Sequence, residues 1–296
     1  VDLRVLGMRM DPPEVVADFD PSRPQDFVIP EVSVTALVAD PGDNRGLSYA
    51  VVACAPTLSL RCDDPGALVL PVSEGTSSDP EELGAQPIAG AFTATLALLQ
   101  ESVRLDDLAG FGGIGVQVSL EVWPEGSARG TQSVFAAKKM LYAPRVPPER
   151  VANQNPYFDD LGAEIDGAPS VFAPGRCVGP ATQPLVVAPS ARVRLDPVEP
   201  DGIREDYVLP TYDGGVLRLT ENMRYAWFAT AGGFSHEQTG GPTDPFGNVP
   251  LLRTFFTAPS ADDAAAIPDG RVSLWVVQRD DRGGAFFAEW CIEVIP

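Results

Sequence analysis

GIGVQVSLEVW, residues Gly113 to Trp123, settles the class of fold. Its apolar side chains Ile114, Val116, Val118, Leu120 and Val122 share one parity, and Gln117, Ser119 and Glu121 share the other. Side chains alternate across a strand, so this segment predicts a β-strand with one face in a core. Arg271 to Gln278 repeats the pattern with Val272, Leu274 and Val276, and the closing stretch aligns Phe286, Ala288, Trp290, Ile292 and Val294. Trp227 and Trp290 fall on core parity, whereas Trp123 and Trp275 fall outside it.

The chain repeats itself. LSYAVVAC (47–54) and VSLEVW (118–123) in the first half answer to MRYAWFAT (223–230) and VSLWVV (272–277) in the second. The spacing is 69 residues from Tyr49 to Val118 but 47 from Tyr225 to Val272, so the first half holds 22 extra residues. Within Thr95 to Gly110, Leu96, Leu99, Val103 and Leu108 recur at roughly helical spacing, which predicts a short helical insertion. A repeat of this size argues for tandem domains. The expected architecture is therefore all-β: two tandem immunoglobulin-like antiparallel β-sandwiches, with a short helix inserted in the first. The proline-rich stretch 1–30 reads as an extended N-terminal arm. Residues 31–149 are then the first sandwich and 150–296 the second, with APRVPPERVANQNPYF (143–158) as a semi-rigid linker.

Composition restricts function. The 296 residues carry a formal charge of −20, with 41 acids against 21 bases. Nucleic acid and anionic membrane surfaces are poor partners for such a chain, whereas basic proteins and divalent cations suit it. No apolar run approaches the length of a membrane span. Val1 in place of Met is consistent with removal of a leader or lipid anchor. Cys54, Cys62, Cys177 and Cys291 include no C-x-x-C pair, and His236 is the single histidine, so disulfides in an oxidising compartment outweigh a zinc site. Four cysteines allow three connectivities. The expected one is Cys54–Cys62, closing a short loop, with Cys177–Cys291 stapling the entry of the second sandwich to its last strand.

No catalytic constellation emerges. His236 lies in a glycine-rich loop without a G-x-S-x-G elbow, and acidic pairs arise by chance among 41 acids. Calcium is the one ion the sequence suggests, although none is required. Asp40, Asp43 and Asn44 gather in one turn, and Asn153, Asn155 and Asp159 gather at the domain junction, all with hard oxygen donors. Trp123 and Trp275, on the outer parity, are the candidate contacts for a partner or a glycan.

Several segments resemble a known family. ADPGDNRGLSYA (39–50) is similar to the Asp-Pro turn and Leu-Thr-Tyr-x-Trp strand of polycystic-kidney-disease (PKD) type and related bacterial Ig-like domains. Trp227 stands at the tryptophan position in the second half, where the first has Val51. FFTAP (255–259), VVQRDDRGG (276–284) and NQNP (153–156) resemble the aromatic turn, the penultimate strand with its Asp-rich turn, and the lead-in of such modules. The aspartate-glycine signature of true PKD domains is missing, so the resemblance is to PKD-related sandwiches. The opening VDLRVLGMRMDPPEVV and the closing LWVVQRDDRGG resemble exported lipoproteins of myxobacteria-like genomes. That resemblance implies a cell-surface address. The expectation is a non-catalytic surface protein, a spacer, adhesin or subunit of a larger assembly that binds a protein or its own copies, with a carbohydrate-binding accessory module as the alternative.

Overall fold

The computed structural model describes residues 3–40, 45–56, 59–77, 85–177 and 183–295. The first half contributes β1 (Arg4–Asp11), β2 (Glu14–Ala17), β3 (Glu31–Ala39), β4 (Leu47–Cys54), β5 (Val69–Ser77), β6 (Ala85–Thr93), α1 (Leu96–Leu105), β7 (Ile114–Pro124) and β8 (Val134–Pro144). The second contributes β9 (Asp160–Ile165), β10 (Ala168–Phe172), β11 (Leu185–Val187), β12 (Arg192–Val198), β13 (Asp206–Pro210), β14 (Val216–Thr220), β15 (Arg224–Ala229), β16 (Gly233–Phe234), β17 (Gln238–Gly240), β18 (Thr254–Thr257), α2 (Ala261–Ala265), β19 (Arg271–Arg279) and β20 (Ala285–Val294).

The architecture is all-β. Sheets ordered β1-β3-β6 and β2-β8-β7-β4-β5 form the first sandwich, and β10-β9-β12-β18-β16 and β11-β20-β19-β15-β17 the second. The five-stranded sheets β2-β8-β7-β4-β5 and β11-β20-β19-β15-β17 are built alike. In each, a short strand pairs in parallel with the last strand, β2 on β8 and β11 on β20, while the remaining pairs are antiparallel. The repeated segments are the central pairs β4·β7 and β15·β19, but their registers differ by two residues. Tyr49 faces Val122, whose counterpart is Val276, whereas Tyr225 faces Gln278. A shift of two keeps every side chain on its face, so the alternation survives it.

The apolar side chains form two cores. Val34, Val51, Val118, Leu120, Met140 and Tyr142 are among the residues of the first, and Leu195, Tyr225, Trp227, Phe256, Val276 and Trp290 of the second. The two indoles of the second core are satisfied, Trp227 Nε1 donating to Thr239 Oγ1 (2.9 Å) and Trp290 Nε1 to the Phe172 carbonyl (2.9 Å). Helix α1 starts at Thr95, whose hydroxyl accepts from Leu98 N–H, a standard N-cap. Its buried positions are Leu98, Leu99 and Ser102, while Leu96 and Leu108 are exposed. The expected stripe is thus rotated by about a quarter of a turn, because Leu98 rather than Leu96 is buried beside Leu99.

The first thirty residues are not an extended arm, and that expectation is corrected. Arg4–Asp11 is β1, paired antiparallel with β3 from Arg4↔Ala39 to Asp11↔Ser33, and Glu14–Ala17 lies parallel to β8. Met8 and Met10 are buried in the first core, which supplies the reason. The prolines at 12 and 13 separate two strands, where a missing N–H costs no ladder bond.

Candidate functional site

The most elaborate polar site lies where the two sandwiches meet. A third apolar cluster joins Leu6, Leu37 and Ala39 of the first sandwich to Ala226, Trp275 and Val277 of the second. These second-sandwich side chains sit on the outer face of β15 and β19, opposite Trp227 and Val276. Strand β19 is buried on both faces for this reason. A Cβ added at Gly7 would stand 3.1 Å from Phe287 and 3.2 Å from Val277, so glycine permits the approach of the two sheets. Each large side chain buried here contributes about 1.5–3 kcal/mol.

Beside this cluster runs a charged network. The β19–β20 turn is closed by Asp280, whose Oδ1 accepts from Arg282 N–H (2.9 Å) and Gly284 N–H (2.7 Å). That turn aims the Arg282 guanidinium at the first sandwich. Nη2 donates to Glu14 Oε2 (2.5 Å) and to the Val151 carbonyl (2.9 Å), and Nη1 reaches Glu205 (3.3 Å) and Glu221 (3.5 Å). The guanidinium also stacks over the Tyr207 ring, 4.8 Å from its centroid. Glu14 is shared with Arg150, which donates from Nη2 to Oε1 (2.8 Å) and from Nη1 to the Gly112 carbonyl (2.8 Å). The Asn153 backbone N–H adds a third donor to Glu14 (2.9 Å). Glu14, Arg150, Asn153 and Glu221 are all buried. Burial, reinforced by Asp280 and Glu205, pushes the Glu221 carboxyl up to about 7. Burial also lowers Lys138, on the neighbouring β8, to about 8, and its Nζ donates to the Met8 carbonyl (3.0 Å).

The junction asparagines of the expected calcium site serve this interface. Asn155 Nδ2 donates to the Met10 carbonyl (2.8 Å), and Asn155 Oδ1 accepts from Ala285 N–H (3.0 Å), so one amide ties the first sandwich to the second. Asn153 Nδ2 donates to Asp280 Oδ2 (3.1 Å). Asp159 is exposed and stands apart from them in this network. Asp40 is buried and paired with Arg45 (2.8 Å), while Asp43 and Asn44 lie outside the described residues. Among the described residues no group of three or more His, Cys, Asp or Glu side chains is arranged to hold a metal ion. The four described residues, Asp40, Asn153, Asn155 and Asp159, are not brought together as a ligand set. At the junction the carboxylates meet the guanidinium groups of Arg282 and Arg150.

The tryptophan pair also needs correction as a ligand site. Trp275 is 2% exposed, covered by the first sandwich, and offers no face to a sugar. Trp123 is half-buried at the end of β7, with the Arg129 guanidinium 5.5 Å from its ring. The two stand on different sheets and form no joint platform. The cysteines pair as Cys54–Cys62 and Cys177–Cys291. Ser235 Oγ lies 3.1 Å from His236 Nδ1, but that hydroxyl also accepts from Phe255 N–H (3.1 Å), and the pair sits on the surface with no acid oriented on the imidazole among the described residues. Among the described residues no helix is long and apolar enough to cross a membrane.

Glu14, Arg150, Glu205, Glu221 and Arg282 escaped the reading of the sequence. One signal pointed to them: in Val272 to Val277 the outer parity carries Trp275 and Val277, so both faces of the strand are apolar and both must be covered.

No protein-family model matches the chain, and no curated protein matches it. Among solved structures, red sea bream transglutaminase is similar over the whole of this chain and 32% of its own, at 10% identity and a TM-score of 0.24. The native conformation of Escherichia coli alpha-2-macroglobulin is similar over all of this chain and 17% of its own, at 9% identity and a TM-score of 0.27. This chain therefore spans a third or less of either protein. The sialic acid binding region of a Streptococcus sanguinis adhesin is similar over all of this chain and 78% of its own, at 10% identity and a TM-score of 0.25. Likenesses this slight say nothing about activity or partner.

Proposed function

We propose that this chain is a non-catalytic interaction and spacer module of the cell surface or extracellular space, PKD-related and borne by an exported, lipid-anchored protein. The observation that carries the reading is the buried seam between the sandwiches. Trp275 and Val277 pack on Leu6 and Leu37, and Arg282 bonds Glu14 beside them. Tandem domains are mobile by default unless their interface is large and apolar. A seam of this kind makes two sandwiches into one stiff body, which transmits position from one end to the other. Two disulfides suit an oxidising compartment, and the strong negative charge keeps such a surface body soluble.

Small-angle X-ray scattering of the full chain tests this. One fixed arrangement of the two sandwiches should account for the whole profile, in calcium and in a chelator alike. A profile that requires an ensemble of interdomain orientations sinks the reading.

A further inference from the structure

Strand β1 is the edge of its sheet, and the carbonyls of Leu6, Met8 and Met10 along it are each taken by a side chain. Arg279 Nη2 donates to Leu6 (3.0 Å), Lys138 Nζ to Met8 (3.0 Å) and Asn155 Nδ2 to Met10 (2.8 Å). Capping of this kind shields an edge from stray strands. The cap on Met10 is a neutral amide, so capping alone does not call for charge. Yet the other two caps are cations, and neither is paired with a carboxylate among the described residues. In a chain with 41 acids against 21 bases, two neighbouring cations without an acid of their own need a reason.

Both line an open pocket of about 360 Å³ bounded by β1, residues 136–139 of β8 and the β19–β20 turn, so its walls come from both sandwiches. A Cβ at Gly283 of that turn, where φ is +100°, would meet nothing within 4 Å, so the space beside the turn is clear. The acid in the lining is Asp280, and its oxygens are already occupied by Arg282 N–H, Gly284 N–H and Asn153 Nδ2. Lys139, next along β8, turns to the opposite face of the sheet, over Gly115. Arg9, also near Lys138, is paired with Asp11 (3.1 Å).

The two unpaired cations keep donors in reserve. An ammonium carries three N–H groups and a guanidinium five, and each is seen to spend one on β1. They are also poorly hydrated. Burial lowers Lys138 to about 8, with Arg279 and Arg9 adding to it and Asp280 opposing, and burial lowers Arg279 as well. A desolvated cation without a partner gains most from an anion. Lys138 and Arg279 together outweigh the single carboxylate of Asp280 by one charge, which a monoanion neutralises. A carboxylate has two oxygens and accepts from an ammonium and a guanidinium together.

We propose that this pocket binds a carboxylate, held between the Lys138 ammonium and the Arg279 guanidinium. A small free anion and the end of a peptide present the same group to it. Bound there, the carboxylate bridges β8 of the first sandwich to β19 of the second. The inference therefore rests on the fixed seam argued above.

Nuclear magnetic resonance of the full chain reads the site directly, because Lys138 and Lys139 are its only lysines. The Cε–Hε signal of each is followed against pH in acetate, in acetyl-glycyl-glycine, and in sodium chloride of the same ionic strength, which sets the effect of screening alone. A carboxylate favours the charged amine, so it should raise the Lys138 midpoint from about 8 by roughly one unit, a tenfold coupling of proton to anion. Lys139 should stay where chloride leaves it. Tighter binding of acetate assigns a free anion and tighter binding of the peptide a chain terminus, and both support the site. Acetamide, which has the shape without the charge, should do nothing. Arg279→Gln should weaken acetate about tenfold. The same variant should raise the Lys138 midpoint in chloride, because Arg279 is one of the charges that depress it, and that rise shows that the variant is folded. The proposal is overturned if acetate and the peptide both leave Lys138 where chloride leaves it, if acetamide reproduces the shift, or if Arg279→Gln leaves the affinity intact. If Lys138 is unmoved while the chain scatters as one fixed body, the site is lost and the module reading stands.

Discussion

Arg282 and Glu14 lie 268 residues apart in sequence, yet their side chains meet at 2.5 Å in a seam where they are 9% and 4% exposed. One guanidinium thereby anchors three carboxylates, Glu14, Glu205 and Glu221, while also covering the Tyr207 ring. Only a planar fork with several donors does this.

Arg282→Ala leaves Glu205 and Glu221 without their cation and Glu14 with Arg150 alone. Stranding buried charge in this way costs about 3–5 kcal/mol. Urea unfolding should show that loss, and Arg282→Lys should recover only part of it. A loss below about 0.5 kcal/mol, the level of an ordinary surface substitution, would mean that the network holds nothing.

Glu221 makes the seam sensitive to pH. Its folded pKa is raised to about 7 from 4.5, chiefly by burial and then by Asp280. Between those values the folded chain holds a proton that the unfolded chain has released, so this group's stabilising contribution falls as pH rises from 4.5 to 7 and is lost above. Glu221→Gln should therefore be more stable than the native chain by about 1–3 kcal/mol at pH 8, and the difference should vanish near pH 4.5. Denaturant titrations at a series of pH values give both numbers. A gain that does not depend on pH would detach it from the carboxyl.

How much of this was legible follows from what periodicity encodes. Alternation in GIGVQVSLEVW and RVSLWVVQ fixes which side chains share a face, and both segments are strands with Val118, Leu120, Leu274 and Val276 in cores. The repeat of LSYAVVAC in MRYAWFAT marks the same strand of two like sheets. Alternation carries no information about what lies against the outer face. Trp275 was placed on that face, but only the fold puts Leu6 and Leu37 over it. The N-terminal strands hid behind their prolines, and β1 shows alternation weakly because Gly7 replaces a side chain at the point of closest approach. Asn153 and Asn155 lie at the junction of the two sandwiches. Their partners, Asp280, Met10 and Ala285, are at least 127 residues away and beyond any local rule.

The two outer tryptophans should behave differently. Trp275→Ala removes a side chain that is 2% exposed in the seam, and loses about 3–5 kcal/mol along with the fixed orientation of the sandwiches. Trp123→Ala removes a half-buried ring with a guanidinium 5.5 Å away, and should cost about 1 kcal/mol or less while leaving the scattering profile unchanged. Equal losses from the two would show that Trp275 does not lie in a seam.

The disulfides differ in reach, and so should the effects of removing them. Cys54–Cys62 spans 8 residues and Cys177–Cys291 spans 114. In the chain-entropy account the long bridge contributes roughly 4–5 kcal/mol and the short one roughly 2–3. The long bridge also holds local structure. It ties the entry of the second sandwich to β20, where Gly175 N–H donates to the Glu289 carbonyl (2.7 Å) and Arg271 Nη1 to the Cys177 carbonyl (3.0 Å). The paired variant Cys177→Ser/Cys291→Ser should accordingly lose more stability than Cys54→Ser/Cys62→Ser in thermal unfolding. Its losses should appear first as faster amide exchange along β20 and β11, the strands nearest the broken staple. If the short bridge proves the more costly, then the burial of Cys54 and Cys62 against Gln117 outweighs loop length, and the first sandwich depends on that loop as a lid over the outer face of β7.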